Sequence, residues 1–208
     1  MSVASGGKRG RPALTDSARA DAKRREIVAR AAELFDTEGF GSTTMERIAA
    51  AVGLRKSSLY HYFKSRDSVL YAIHDEFIEL LVKNHERRAE TGDWTTDQLL
   101  EEIMADICQL METHRGHVRV FFEHHRELSE QGRAAMRAKR DRYYGTVQGL
   151  LADGVRAGYY VAEPRLAAFA LFGMCNWVYQ WYEPGELTPR DVATEFWRIF
   201  RTGIATPD

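Results

Sequence analysis

The residues with the most evident chemistry lie between positions 55 and 64. Arg55, Lys56, Ser57, Ser58, Tyr60, His61, Tyr62 and Lys64 surround Leu59 and Phe63, whose i, i+4 spacing marks the buried side of a helix. Cations, hydroxyls and aromatic rings with polar tips suit phosphate oxygens and base edges. Arg55, Lys56 and Ser57 stand at the N-terminal end of that helix, the end that reads bases in a helix-turn-helix, and Tyr60, Tyr62 and Lys64 are placed to clamp the backbone. Upstream, Thr43 and Thr44 open another short helix, where hydroxyls, free N–H groups and the helix dipole together favour a phosphate.

The elements that position these residues follow from periodicity. Ile27, Ala31, Leu34 and Phe35 recur on one helical face, predicting a first helix over 22–38 that ends near Gly39. Thr43 followed three residues later by Glu46 reads as a capping box for a second helix carrying Met45, Ile48, Ala49 and Val52. Gly53 supplies the left-handed conformation that ends it, and the third helix bears Leu59 and Phe63. The resulting helix-turn-helix spans about residues 44–63, within a DNA-binding domain predicted over 22–66. Residues 1–21 lack apolar periodicity and read as a flexible basic arm. Within it, Arg9-Gly10-Arg11-Pro12, preceded by Lys8, resembles an AT-hook core, with Arg9 and Arg11 entering a narrow minor groove; a solvated basic tail is the other reading.

Charge supports this division. The 208-residue chain carries a net charge of −1, yet residues 1–66 hold 13 Lys and Arg against 7 Asp and Glu, whereas residues 67–208 hold 16 against 23. A cationic segment joined to an acidic body suits a polyanion partner, duplex DNA above all.

Beyond Ser65 and Asp67 a longer helix carries Val69, Leu70, Ile73, Phe77, Leu80 and Leu81, and helical patterns recur at about 96–113, 116–128, 130–157, 163–182 and 189–204. No run of strands emerges, so the fold class is all-α: an N-terminal three-helix helix-turn-helix domain and a C-terminal helical domain over 67–208. Met104, Cys108, Phe121, Phe122, Tyr143, Tyr144 and Val147 on the middle helices, with Trp177, are the candidate lining of an effector pocket, or are simply core. Gly145, Gly149 and Gly154 inside a helical stretch imply close helix approach or room for a ligand. Phe169, Phe172, Met174, Trp177, Trp181, Phe196, Trp197 and Phe200 make the last two long helices aromatic-rich, as expected of a homodimer interface.

Other functions find little support. Cys108 and Cys175 have neither metal-ligand nor disulfide-framework spacing, which suits a reducing cytoplasm. No apolar run reaches the roughly 20 residues of a membrane span. His114, His117 and His124, with Glu123 and His125 beside them, approach one helical face, but without a second ligand cluster they read as surface or hydrogen-bonding histidines, and no metal is expected. A nucleophile elbow, a P-loop, a dinucleotide fingerprint and HExxH are all absent, so neither catalysis nor a cofactor is expected. The competing function is a helical metal- or ligand-binding protein without sequence-specific DNA binding.

From Lys23 to Ala72, Thr43-Thr44-Met45-Glu46-Arg47-Ile48-Ala49, then Val52-Gly53-Leu54, Leu59-Tyr60-His61-Tyr62-Phe63 and Lys64-Ser65-Arg66-Asp67, the chain resembles the N-terminal domain of the tetracycline-repressor (TetR) family. The resemblance implies a homodimeric regulator, usually a repressor, that binds a palindromic operator and is released by a small effector, with residues 67–208 as the all-helical domain for ligand binding and dimerisation. Where that family often has a serine and a glycine on the recognition helix, this chain has Arg55 and Ser57. The segment Trp181-Tyr182-Glu183-Pro184-Gly185-Glu186-Leu187 is similar to TetR-like regulators of fatty-acid or steroid catabolism, whose effectors are acyl-CoA thioesters. That likeness implies cations at a pocket mouth, for which Arg137, Lys139, Arg140 and Arg142 are the candidates.

Overall fold

The computed structural model describes residues 16–206; Arg9 and Arg11, and with them the minor-groove expectation, lie outside the described residues. The described chain is helical: α1 (Asp16–Glu38), α2 (Met45–Ala51), α3 (Lys56–Tyr62), α4 (Arg66–Thr91), α5 (Thr96–Thr113), α6 (Arg115–Glu123), α7 (Glu130–Arg156), α8 (Pro164–Asn176), α9 (Val178–Trp181) and α10 (Pro189–Ile204), with a 3₁₀ turn at His125–Glu127. One antiparallel bridge, Tyr160 to Ala205, ties the loop after α7 to the end of α10.

Three boundaries differ from the periodicity. The first helix reaches back to Asp16, so the arm expected through residue 21 is helical over its last residues. The stretch expected over 116–128 leaves the helix at His124, and Leu128 turns extended so that Ser129 caps α7. The stretch over 163–182 breaks at Trp177, which closes α8 and opens α9.

Two cores form. The first gathers Ile27, Ala31 and Phe35 of α1, Ile48 of α2, Leu59 of α3 and Leu70 and Ile73 of α4. Each such large apolar side chain, fully buried, contributes about 1.5–3 kcal/mol. The second core fills the body between α4, α5, α7, α8 and α10. The division at residue 66 is not sharp, because α4 feeds both cores and Val120 of α6 and Leu128 belong to the first. A serine capping box starts α4, Ser65 and Ser68 each accepting at 3.1 Å from the other's backbone N–H. Among the described residues no helix is long and apolar enough to cross a membrane.

Candidate nucleic-acid interface and effector cavity

The turn between α2 and α3 is closed by Gly53 at φ +66° and by the Leu54 N–H donating to the Ala49 carbonyl at 2.8 Å. Only a residue without Cβ adopts that φ without strain, so the glycine fixes the angle at which α3 leaves α2. Leu59 and Phe63 are buried, as their spacing predicts. Arg55, Lys56, Ser57, Tyr60, His61 and Lys64 stand exposed, while Ser58 and Tyr62 are half-buried. Arg55 is the extended N-cap of α3 and its side chain makes no cap bond, leaving the guanidinium for a partner.

Two members of the set are already engaged. Lys56 pairs with Glu46 across the turn, which raises the lysine and lowers the glutamate, the hydrogen bond between them being the largest cause. Lys64 donates to the Tyr60 carbonyl at 3.2 Å. Thr43 departs from expectation altogether. It is fully buried, and its hydroxyl donates to the Gly39 carbonyl at 2.9 Å, so it offers nothing to a phosphate. The cap of α2 is Thr44, extended at φ −96° and ψ 163°, whose Oγ1 accepts from the Arg47 N–H at 3.1 Å; the cap therefore lies one residue beyond the expected Thr43, and with Arg47 at the third helical position it is a simple cap in place of the expected reciprocal box. Thr44 remains exposed at this helix start.

Sequence reasoning missed that several cations near this face hold the head together. Lys23 donates to the Val52 carbonyl at 2.7 Å, and Arg24 donates to the Tyr62 carbonyl at 3.1 Å while lying 4.2 Å over the Phe63 ring. Arg66 donates to the carbonyls of Phe40, Gly41 and Thr43 at 2.7, 3.0 and 2.9 Å, fixing the α1–α2 loop to α4. Arg47 grips Glu38 at 2.7 Å. Their targets are distant backbone carbonyls and carboxylates, which no local spacing announces.

The body holds a cavity of about 280 Å³ between α4, α6 and α7, near the lower end of ligand pockets, roughly 300–1,000 Å³. Phe121, Phe122, Tyr143 and Tyr144 line it as expected, joined by His74, Phe77 and Ile107. The Tyr144 and Phe172 rings stack at 4.0 Å along one wall. Met104, Cys108 and Val147 are instead buried in the second core without facing the cavity, and Trp177 is 63% exposed on the outside of the body. Packing claims the first three, and the break between α8 and α9 turns the fourth outward.

Of the four candidate cations, Arg137 and Arg140 line the cavity from α7 and are exposed at its edge. Lys139 is held by Asp75 at 2.5 Å and Glu79 at 2.7 Å, and neither it nor Arg142 lines the cavity. His74 was missed. It sits in the apolar stripe of α4 with Leu70, Phe77 and Leu81, and a histidine at a core position is the signal that pointed to it. Burial pushes its imidazole down to about 4. His117 is likewise buried, with its Nε2 3.9 Å from a Glu76 oxygen. Among the described residues no three His, Cys, Asp or Glu side chains converge as a metal site.

Helix α6 joins cavity to head. Phe121 and Phe122 face the cavity while Val120 packs in the first core, and Arg119 meets Asp36 of α1 at 3.2 Å. At Gly116 an added Cβ would stand 3.4 Å from the Ala32 carbonyl carbon, so the two helices lie nearly backbone to backbone. A basic helix-turn-helix head sharing α4 and α6 with a cavity-bearing helical body is the build of a ligand-responsive DNA-binding regulator.

Comparison with known proteins gives the family. A model described as "Bacterial regulatory proteins, tetR family" matches residues 27–73, and one described as "Tetracyclin repressor-like, C-terminal domain" matches residues 93–204. The chain belongs to the TetR family. It is similar to the HTH-type transcriptional repressor KstR2 of Rhodococcus jostii (strain RHA1), 26% identical over 200 residues, covering 94% of this chain and 98% of that protein. Among solved structures, AibR in complex with isovaleryl coenzyme A and operator DNA aligns with a TM-score of 0.75 at 25% identity, covering 85% of this chain and 97% of that one. The TetR family regulator PfmR from Thermus thermophilus aligns with a TM-score of 0.77 at 28% identity and the same coverages.

Proposed function

We propose that this protein is a homodimeric cytoplasmic repressor, released from a palindromic operator by an acyl-CoA thioester and acting by binding alone, without catalysis. The observation that carries this reading is an apolar cavity edged by three exposed arginines: Arg133, which donates to the Leu128 carbonyl, Arg137 and Arg140. The cavity takes the acyl chain, and the guanidinium groups take the phosphates of the CoA portion, for which their planar donors are suited. The likeness to AibR, whose structure holds isovaleryl coenzyme A and operator DNA, supports the same ligand class. At the head, Arg55 and Ser57 are assigned to base edges, Lys56 after exchanging Glu46 for DNA, and Thr44, Tyr60 and Lys64 to phosphates. Ser58, His61 and Tyr62 complete the DNA-facing helix. An effector shifts the equilibrium only by binding the released arrangement more tightly, and α6 is the element that both sites bias.

Fluorescence anisotropy of a labelled operator fragment tests this. Acyl-CoA thioesters are expected to release the DNA, and replacing both Arg137 and Arg140 by Ala raises the concentration needed by roughly tenfold or more, the loss of two charge-assisted contacts. Operator binding that ignores every thioester overturns the effector assignment. Affinity for promoter DNA that stays constant with salt overturns the DNA assignment, because phosphate contacts release counterions.

A further inference from the structure

The cavity is lined mainly by hydrocarbon and aromatic rings, with arginines and a histidine exposed at its edge and, among its less exposed polar groups, Asn176, the Tyr143 and Tyr144 hydroxyls and His74. Two of these are buried with a polar atom left unpartnered, the Tyr143 hydroxyl, which can donate, and His74, 1% exposed. Its Nδ1 lies 2.9 Å from the Leu70 carbonyl on its own helix, an acceptor only, so Nδ1 carries the ring proton. A neutral imidazole has one proton, and burial keeps this ring neutral at physiological pH. Nε2 is then a bare acceptor, turned away from α4 because the opposite edge of the ring is tied to it. It is buried and has no hydrogen-bond partner. No donor lies within hydrogen-bond distance of it: the Phe121 ring lies 5.2 Å away, the nearby Phe121 carbonyl is itself an acceptor, and the Tyr143 hydroxyl, on the same lining, is likewise unpartnered. An acceptor left dry in such a place is costly, and a ligand able to donate to it gains what a hydrocarbon cannot.

We propose that His74 selects an effector whose buried end carries a hydrogen-bond donor, a hydroxylated acyl group rather than a plain hydrocarbon chain. This rests on the reading of the cavity as an acyl-thioester site. With the CoA phosphates at Arg137 and Arg140 on the exposed edge, the far end of the acyl group is the part that reaches the interior histidine.

Three thioesters of equal chain length test it: octanoyl-CoA, 8-hydroxyoctanoyl-CoA and 8-methoxyoctanoyl-CoA, the last keeping the oxygen but lacking the proton. The hydroxylated thioester is expected to release the operator at about tenfold lower concentration than either of the others, with the same order in calorimetric affinity. In His74→Phe the preference collapses to within about twofold, and in His74→Gln, which keeps an acceptor, part of it survives. Should either variant fail to fold, the discrimination by the unaltered protein decides alone. Equal response to all three thioesters overturns the donor preference and leaves the acyl-CoA reading standing. If none binds, that reading falls, and 1-octanol against 1-methoxyoctane decides the inference separately. A ¹⁵N shift of His74 Nε2 with the alcohol only supports the donor preference, and no shift with either overturns it.

Discussion

His74 and His117 are both buried with Nε2 unpaired, one at the cavity and one beside Glu76, and burial pushes both imidazoles down to about 4. In the unfolded chain each titrates near its ordinary value of about 6.5. Between those values the unfolded state binds more protons, so folding stability rises with pH and is lost as pH falls from about 6.5 toward 4. Burial raises Glu76 and Asp36, which works the other way. Urea unfolding midpoints are therefore expected to fall between pH 7 and about pH 5.5, and His117→Phe should flatten that decline. A midpoint constant over the range would contradict neutral burial. The place of His74 in the apolar stripe of α4 is the one signal the sequence carries, and His117, between Gly116 and Val118 with Arg115 and Arg119 close by, carries none. What was legible is the exposed set of Arg55, Ser57, Tyr60 and His61, because helical period alone sorts it from Leu59 and Phe63. Thr43 and Thr44 could not be told apart that way, since one residue of register decides which hydroxyl caps α2 and which bonds Gly39.

At the scale of elements, the existence and order of the helices follow from apolar period and breakers, whereas the sharing of α4 and α6 between two cores depends on contacts far apart in the chain. The three glycines of α7 show the difference. All three cost helix propensity equally, yet only Gly154 has a packing reason: an added Cβ would fall 2.2 Å from Tyr160 Cε2, while nothing lies within 4 Å at Gly145 or Gly149. Tyr160 is buried and its hydroxyl donates to Asp97, which Arg201 of α10 also holds at 2.8 Å, so the ring has little freedom to yield. Gly154→Ala is expected to destabilise by about 1–3 kcal/mol through overpacking. Gly149→Ala is expected to stabilise by up to about 1 kcal/mol through propensity and a less flexible unfolded chain. Thermal unfolding of the two variants side by side checks the contrast, and equal shifts of either sign would remove the packing explanation.

At the scale of the whole molecule, the near-neutral charge conceals a cationic head, but the head's surplus is smaller in effect than the count implies. Lys23, Arg24, Arg47 and Arg66 spend their donors on the head's own carbonyls and carboxylates. Fewer cations are left for phosphates than the count implies, which makes pairing of two heads important for affinity. An exposed apolar surface suited to pairing lies on α8 and α10, whose buried residues belong to the body's core and not to the head's. Leu166, Phe169 and Trp177 of the α8 region are 66%, 48% and 63% exposed at i, i+3 and i+11, with Gly173 between them open to a close helix approach. Ile199 and Gly203 extend the patch along α10, which packs beside α8. Exposed apolar stripes of this kind mark interfaces, and a two-fold axis through them brings two copies of the same surface together. Two α3 helices so joined would address half-sites about 34–36 Å apart, and linking them makes the second engagement intramolecular. Replacing Phe169 and Trp177 together by Glu is expected to give a monomer in sedimentation at micromolar concentration with unchanged helical circular dichroism. Its affinity for the full palindrome should fall by roughly 10²–10⁴, with little change on an isolated half-site. The dependence of the binding constant on salt should fall to about half, because one head now neutralises the phosphates that two did. A variant that sediments as a dimer would move the interface off α8 and α10, and a monomer that keeps full palindrome affinity would show that a single head suffices for recognition.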